Sequence, residues 1–175
     1  LERALPPTDV NLQTARTNLA LILKSDGDVA AARGLEERAL AALRSMFPED
    51  HPEIEAAKSG LAVTLSRQGE FDAARTMFEQ LLASREATLP ARHHDVEIVR
   101  GELALLFALD GDLDTAAALE KQVLESLEST LPDSHGDVIT ARLNLAETLR
   151  EQRDFAGAAA VAERALAVLD GVEWE

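Results

Sequence analysis

Three of the four histidines in this sequence, His51, His93 and His135, recur at regular 42-residue intervals. An imidazole can bind a metal ion or transfer a proton. Equivalent positions on packed helices lie about 10 Å apart, whereas a metal ion holds its ligands at about 2 Å. The neighbouring pair His93 and His94 supplies two ligands at most. We therefore expect the histidines to pack in the segments between helices, and we predict no metal site and no cofactor.

A run of alternating aspartates is a second candidate for metal binding. Asp110, Asp112 and Asp114 resemble the start of a calcium loop. Such a loop needs a glycine at its sixth position and a glutamate at its twelfth, which here are Thr115 and Lys121. We interpret the run as a turn between helices, in which an aspartate caps the following helix.

Composition and motifs argue against catalysis and against several classes of partner. The chain has no cysteine, no glycine-rich phosphate-binding motif and no Gly-x-Ser-x-Gly nucleophile motif. Its net charge of -15 disfavours nucleic acid and anionic membranes as partners. No apolar run approaches the roughly 18–20 residues of a membrane span. We predict a cytoplasmic protein that is not an enzyme, with no catalytic residues.

The 42-residue interval also governs apolar, proline and glycine positions, which indicates stacked structural repeats. A Leu-Ala pair recurs at Leu19-Ala20, Leu61-Ala62, Leu103-Ala104 and Leu145-Ala146. Proline recurs at Pro6, Pro48, Pro90 and Pro132, and glycine at Gly27, Gly69 and Gly111. Arg153 stands where the fourth glycine would be, so we expect a less ideal helix end and some fraying there.

Within each repeat, the apolar spacing predicts two helices. Ile54, Leu61 and Leu65 lie on one helical face, and a second apolar stripe runs from Phe71 to Leu81. Alanines at equivalent positions predict close helix contacts: Ala20, Ala62, Ala104 and Ala146 in the first helices, and Ala32, Ala74, Ala116 and Ala158 in the second. We predict one all-α solenoid domain over residues 1–175, with four antiparallel helix pairs at about 6–47, 48–89, 90–131 and 132–173. Residues 1–5 align with the end of a preceding helix, so we expect a fragment of a longer protein.

These repeats resemble tetratricopeptide repeats (TPR). The usual repeat is shorter, at about 34 residues. The 42-residue form with a Leu-Pro-x-x-His linker is similar to the kinesin light chain subtype, and the linkers here contain Pro48 and His51, Pro90 and His93, and Pro132 and His135. The family's Asn-Leu-Ala stretch begins at Asn18 and Asn144, but Gly60 and Glu102 replace the asparagine in the middle repeats. The resemblance implies a right-handed superhelix whose first helices line a concave, peptide-binding groove.

By this resemblance, the inward-facing residues of the first helices form the candidate peptide-binding groove. They are Thr17, Asn18, Leu21, Lys24, Ser59, Gly60, Val63, Arg67, Gly101, Glu102, Leu105, Leu109, Leu143, Asn144, Glu147 and Arg150. Asn18 and Asn144 would clamp a peptide backbone, and Gly60 and Gly101 would leave space for a ligand side chain or for close packing.

Charge suggests the character of the partner. The four first-helix segments carry seven basic and five acidic residues, so a neutral-to-basic groove would favour a protein or peptide with acidic character. Four of the cations form a ladder at 42-residue intervals: Arg16, Lys58, Arg100 and Arg142. The ladder either pairs with acidic residues between repeats or contacts a ligand, and the sequence leaves both interpretations open.

The main functional prediction is a non-catalytic scaffold that binds a protein or peptide. One alternative is a regulatory or sensor segment of a larger bacterial signalling enzyme, such as a kinase, nucleotide-switch ATPase or peptidase. Another is a structural module that self-associates through its ends. The tail Glu173-Trp174-Glu175 either covers the last helix or docks into the groove of its own or a neighbouring chain.

Overall fold

The first helices of successive repeats begin 42 residues apart, and so do the second helices. The structure is a computed structural model, and it describes Pro6, residues 9–90 and residues 92–171. This part of the chain contains eight α-helices and no strand. They are α1 (Val10–Asp26), α2 (Val29–Arg44), α3 (Pro52–Arg67), α4 (Phe71–Thr88), α5 (His94–Asp110), α6 (Leu113–Thr130), α7 (Gly136–Glu151) and α8 (Phe155–Asp170). The tail with Trp174 and the segment 1–5 lie outside the described residues.

The recurring histidines are helix N-caps. The Nδ1 atoms of His51, His93 and His135 each accept a hydrogen bond, 3.2 Å long, from the backbone N–H two residues further on. Asp9 does the same for α1, with its Oδ1 atom 2.8 Å from the Asn11 nitrogen. The sequence predicted packing between helices, and one histidine also packs, because the His51 ring stacks on Phe47 at 3.9 Å. Their shared role is to satisfy the free N–H groups at the start of each first helix.

Aspartates cap the second helices α2, α6 and α8. Asp28, Asp112 and Asp154 accept hydrogen bonds from the backbone N–H three residues further on. This confirms the interpretation of Asp112 as a cap. These caps define where each of these second helices starts.

The turn that joins the two helices of a repeat keeps one geometry throughout. Gly27, Gly69 and Gly111 have φ angles of 91°, 78° and 90°, the left-handed region that glycine adopts at little cost. Arg153 has a φ of 66° at the same position. The next N–H still bonds to the helix end, with Asp154 N 2.9 Å from Leu149 O. The helix end therefore keeps this hydrogen bond, and the less ideal geometry expected here takes the form of backbone strain at a non-glycine residue.

Two compact units divide the chain between Ser84 and Arg85. In the first unit α2 packs against α1 and α3, and in the second α6 packs against α5 and α7, which also contacts α8. The alanines predicted at close helix contacts are all buried in the described residues, with exposed fractions of 9% or less. The predicted all-α fold of helix pairs is thus confirmed. None of the described helices is long and apolar enough to span a bilayer.

Candidate functional site

A groove of about 620 Å³ lies among α5, α6 and α7 of the second unit. Helix α5 forms one wall, α7 forms the other, and residues of α6 lie between them. Its lining comprises His94, Glu97, Ile98, Gly101, Glu102, Leu105, Ala108 and Leu109 from α5, Glu120, Val123 and Leu127 from α6, and Asp137, Thr140, Ala141, Asn144, Glu147, Thr148 and Glu151 from α7. The volume lies within the range of pockets that hold small molecules or side chains.

Most of the predicted groove residues of this unit line the groove. Glu102, Leu105, Asn144 and Glu147 do so, as do Gly101 and Leu109. Two predicted residues lie elsewhere: Leu143 is exposed, and Arg150 holds the rim residue Glu147 in an ion pair of 2.5 Å. That hydrogen bond lowers the pKa of the Glu147 carboxyl.

The α5 wall carries three exposed apolar side chains. Ile98, Leu105 and Leu109 are exposed to 45%, 53% and 54%, although leucine and isoleucine are usually buried. Gly101 lies between them along the helix, and a Cβ built there would have no atom within 4 Å. The space predicted at Gly101 is therefore open, and the wall offers an apolar surface with a gap.

The lining also carries acidic residues. Six carboxylates line the groove: Glu97, Glu102, Glu120, Asp137, Glu147 and Glu151. No lysine or arginine is among the described residues that line it. The neutral-to-basic groove expected from the first-helix segments is not found in this unit, because Arg100, Arg142 and Arg150 all pair with carboxylates.

Three residues of the basic ladder form ion pairs with carboxylates. Lys58 bonds to Glu49 at 2.7 Å, Arg100 to Glu86 at 2.7 Å, and Arg142 to Glu128 at 2.7 Å. Each partner belongs to the second helix or linker that precedes the cation in sequence. Of the two interpretations, these contacts favour pairing with acidic residues over contact with a ligand. Glu86 and Glu128 belong to the preceding repeat, whereas Glu49 belongs to the same repeat as Lys58.

Some of these ion pairs shift the pKa values of their members. The hydrogen bonds from Arg44 and Lys58 lower the pKa of Glu49 to about 2. The Arg142 side chain is 1% exposed. Burial by itself would lower the pKa of Arg142, but the carboxylates of Glu128 and Asp133 outweigh burial and raise it. Removing one partner from such a buried pair strongly destabilises a protein.

In the first unit, two predicted groove residues form a buried cluster instead. The Lys24 Nζ atom lies 2.8 Å from Glu36 Oε1 and 3.4 Å from the carbonyl oxygen of Gly60. The Thr64 hydroxyl donates to Glu36 Oε2 at 2.5 Å. A Cβ at Gly60 would lie 3.3 Å from Glu36 Oε1, so Gly60 leaves room for this pair.

The remaining predicted residues of the first unit are accessible or partly so. Asn18 and Leu21 are exposed, and Ser59 and Val63 are half-buried. The Thr17 hydroxyl donates to the Gln13 carbonyl oxygen at 2.7 Å. The Arg67 guanidinium donates to the Lys24 carbonyl oxygen at 3.3 Å, near the end of α1.

Glu120 is the groove residue that sequence reasoning missed. It is only 9% exposed, and its Oε2 atom is buried with no hydrogen-bond partner. Burial raises the pKa of its carboxyl, the Thr148 hydroxyl lowers it by a hydrogen bond, and the nearby Glu151 raises it further. A sequence signal existed, because Glu120 occupies the same repeat position as Glu36, two repeats earlier.

No group of three or more potential metal ligands occurs within the residues that the structure describes. The histidine Nδ1 atoms that could bind an ion accept cap hydrogen bonds instead.

Sequence comparison identifies the repeats. One tetratricopeptide repeat family model matches residues 11–87 and 53–129, and a second matches residues 138–169. Together the matches cover well over half of the chain. No curated protein sequence matches the chain significantly.

Solved structures share the fold at low sequence identity. A Podosopora anserina protein of kinesin light chain type, with nearly identical TPR-like repeats, is 23% identical, with a TM-score of 0.78 over 95% of this chain and 79% of that one. BtubC (BKLC) from P. vanneervenii is 19% identical, with a TM-score of 0.79 over 99% of this chain and 69% of that one. The apo form of RapI is 13% identical, with a TM-score of 0.74 over 93% of this chain and 57% of that one.

Proposed function

The chain belongs to the tetratricopeptide repeat family, with repeats of the kinesin light chain-like type, and we propose that it is a non-catalytic scaffold that binds a segment of a partner protein in the α5–α6–α7 groove. Membership of this family supports a role in protein interaction, and the groove supports the proposed location of the binding site. The same proposal treats residues 1–175 as one cytoplasmic repeat domain. The family match over residues 53–129 supports a continuous array, because it spans the boundary at Ser84 in the sequence.

The observation that carries this proposal is a groove that combines exposed apolar side chains of α5 with carboxylates from α5, α6 and α7. Exposed leucine and isoleucine side chains in a concave surface are typical of a binding site. Ile98, Leu105 and Leu109 recur at helical spacing, so apolar side chains of an extended or helical peptide could pack along them.

Charge complementarity indicates the type of segment. The described lining has six carboxylates and no lysine or arginine. Arginines outside the lining pair with Glu97 and Glu147, and the other four carboxylates favour a basic, amphipathic peptide. The acidic partner expected from the sequence would meet like charge in this groove. Basic character is therefore part of the proposal for the second unit.

A display selection with two matched variants tests groove binding. Random 12-residue peptides would be selected on the immobilised protein, and the affinities of the enriched peptides would be measured by fluorescence polarisation. Gly101→Phe fills the open gap in the groove, whereas Ala118→Phe places the same ring on the exposed side of α6, outside the groove lining. We expect Gly101→Phe to weaken binding by about tenfold or more, equivalent to about 1.4 kcal/mol, and Ala118→Phe to leave it unchanged.

Circular dichroism and urea unfolding would confirm that both variants fold. Enriched peptides that bind both variants as tightly as the wild type would place the binding surface outside this groove. Failure to enrich any peptide would remove the proposal of peptide binding.

Self-association remains the second candidate, because Phe155 and Leu166 of α8 are exposed to 65% and 55%. Sedimentation velocity over a hundredfold concentration range would test it. A mass that stays constant would exclude it, and a mass that rises for the wild type but not for Phe155→Ser with Leu166→Ser would support it.

A further inference from the structure

The two units carry the same buried glutamate but differ in the cation beside it. Lys24, Glu36 and Thr64 of the first unit correspond, two repeats later, to Ala108, Glu120 and Thr148 of the second. Each set comes from three successive helices, α1 to α3 or α5 to α7. The threonine and the glutamate are kept, and the lysine is replaced by alanine.

The loss of the lysine leaves one carboxylate oxygen without a partner. Glu36 Oε1 accepts from Lys24 Nζ at 2.8 Å, and its Oε2 accepts from Thr64. Glu120 receives a hydrogen bond from Thr148, while its Oε2 atom is buried and has none. A buried charged atom without a partner is costly and is uncommon in folded proteins.

The position of the missing lysine is open to the groove. Ala108 and Glu120 both line it, and so does Asn144, which corresponds to Gly60. In the first unit the carbonyl oxygen of Gly60 is the second acceptor near the ammonium group. The backbone carbonyl oxygen of Asn144 occupies the same repeat position. A cation beside Glu120 would therefore find a carboxylate and a backbone carbonyl oxygen as acceptors, as Lys24 does.

Resting on the groove binding proposed above, we propose that Glu120 is the recognition site for a lysine side chain of the partner protein, whose ammonium group takes the place that Lys24 Nζ fills in the first unit. The ammonium would donate to Glu120 Oε2 and to the Asn144 carbonyl oxygen. The lysine stem would lie beside Ala108, and neighbouring residues of the peptide would contact the apolar α5 wall. The other carboxylates of the lining attract the cation to the groove.

An ammonium fits this site better than a guanidinium. Arginine binds a carboxylate best through two parallel hydrogen bonds to both oxygens. At Glu120 one oxygen already accepts from Thr148, and only the buried Oε2 has no partner. The lysine ammonium is a compact charge on a flexible stem, so it can bind through that one oxygen.

The first experiment tests the site without any peptide. The isotope-labelled protein would be titrated with n-butylammonium chloride, which has the lysine side chain's ammonium and stem, and followed by NMR at the Glu120 carboxyl and Thr148 methyl groups. Tetramethylammonium chloride at equal ionic strength is the control, because it carries the charge but cannot donate a hydrogen bond. We expect saturable shifts with n-butylammonium only, and their loss in Glu120→Gln and in Ala108→Lys, which supplies its own cation.

The second experiment tests recognition of the partner. In peptides selected for groove binding, each lysine would be replaced in turn by norleucine and by arginine. We expect one lysine whose replacement by norleucine weakens binding about tenfold, as loss of a charged hydrogen bond predicts. We expect arginine to restore binding incompletely. Ala108→Lys should weaken the original peptide by a similar factor and weaken the norleucine peptide less, because norleucine has lost only contacts of its stem.

The outcomes separate the inference from the proposed function. Shifts that are equal for both salts, or that persist in Glu120→Gln, would overturn the ammonium site. Peptides that bind the groove with no lysine dependence would overturn this inference and keep the proposed function. Specific n-butylammonium binding with no peptide selected would support the ammonium site and remove the proposed function.

Discussion

The glutamates Glu36 and Glu120 occupy the same repeat position in two units and have different environments. Glu36 is 1% exposed and is satisfied by a lysine and a threonine of its own unit. Glu120 is 9% exposed, lines an open groove and keeps one oxygen without a partner. The replacement of Lys24 by Ala108, with Asn144 in place of Gly60, thus separates a closed structural cluster from a candidate recognition site.

This difference shows how a repeat protein can build a site without changing its fold. The helix pairs and the buried glutamate position are common to both units. Removing one cation opens space at the groove and leaves a charge that a partner can neutralise. The cost is local instability, because the charge is desolvated with incomplete compensation.

The largest effect should come from breaking the closed cluster. Glu36→Gln leaves the Lys24 ammonium buried without an acid, and we expect the free energy of unfolding to fall by about 3 kcal/mol. Combining Glu36→Gln with Lys24→Met should recover much of this lost stability, because neither side chain then carries a buried charge. Urea unfolding of both variants measures the difference. Equal losses in the single and double variants would show that the ion pair is not what stabilises this cluster.

The corresponding change in the second unit should have the opposite sign. Glu120→Gln removes an uncompensated charge, and we expect a gain of about 1 kcal/mol at pH 7. Burial raises the pKa of Glu120 above its ordinary value of 4.5, so the folded protein binds this proton more tightly than the unfolded chain. The wild type therefore loses stability as the pH rises above about 4.5, and the advantage of the variant should grow over the same range.

Urea unfolding at pH 4 and pH 7 would measure this pH dependence. Glu125→Gln changes an exposed carboxylate on the same helix and serves as the control. A gain for Glu120→Gln that is the same at both pH values would contradict the role of its buried charge.

The helix caps provide a smaller test of equivalence between the units. Asp9 caps the first helix of the first unit, and His135 caps α7 of the second by the same hydrogen bond. We expect His135→Ala to cost about 1 kcal/mol, and His135→Asp to retain most of the stability. Thermal unfolding followed by circular dichroism compares the two. If the aspartate and alanine variants were equally destabilised, the ring would act by packing and not as a cap.

The smallest effect concerns the turn before α8. Arg153 adopts the left-handed geometry that Gly69 has in the first unit. We expect Arg153→Gly to relieve strain and stabilise the protein by about 0.5–1 kcal/mol, whereas Gly69→Ala should introduce similar strain. Both variants would be followed by urea unfolding. A loss of stability in Arg153→Gly would mean that the arginine side chain contributes more than its backbone costs.

The sequence by itself determined the helix pairs and their boundaries. Local rules suffice for this: apolar residues at helical spacing define the faces, glycine ends the first helices, and an aspartate such as Asp112 starts the second. The capping role of His51, His93 and His135 was missed because histidine is an uncommon N-cap, although its position before each of these first helices was a usable signal. The predicted faces include Leu105 and Asn144, and both residues line the groove in the structure.

The pairing of charges was not predicted from the sequence. Counting acids and bases along the first helices gave a basic balance, but several of those cations are paired with acids such as Glu49, Glu86 and Glu128. Such pairs join residues of different helices and linkers. Sequence periodicity assigns a residue to a face, but it does not reveal which charges across a helix contact neutralise each other.

Only the tertiary structure decided that Lys24 belongs to a closed cluster and that Glu120 faces a groove without a cation. Both facts depend on side chains from three successive helices meeting at one point. The sequence set the repeat positions of these residues, because helix geometry is local. Whether a buried charge is satisfied depends on packing between helices. In the first unit this packing pairs Glu36 with Lys24, and in the second it leaves Glu120 without a cation.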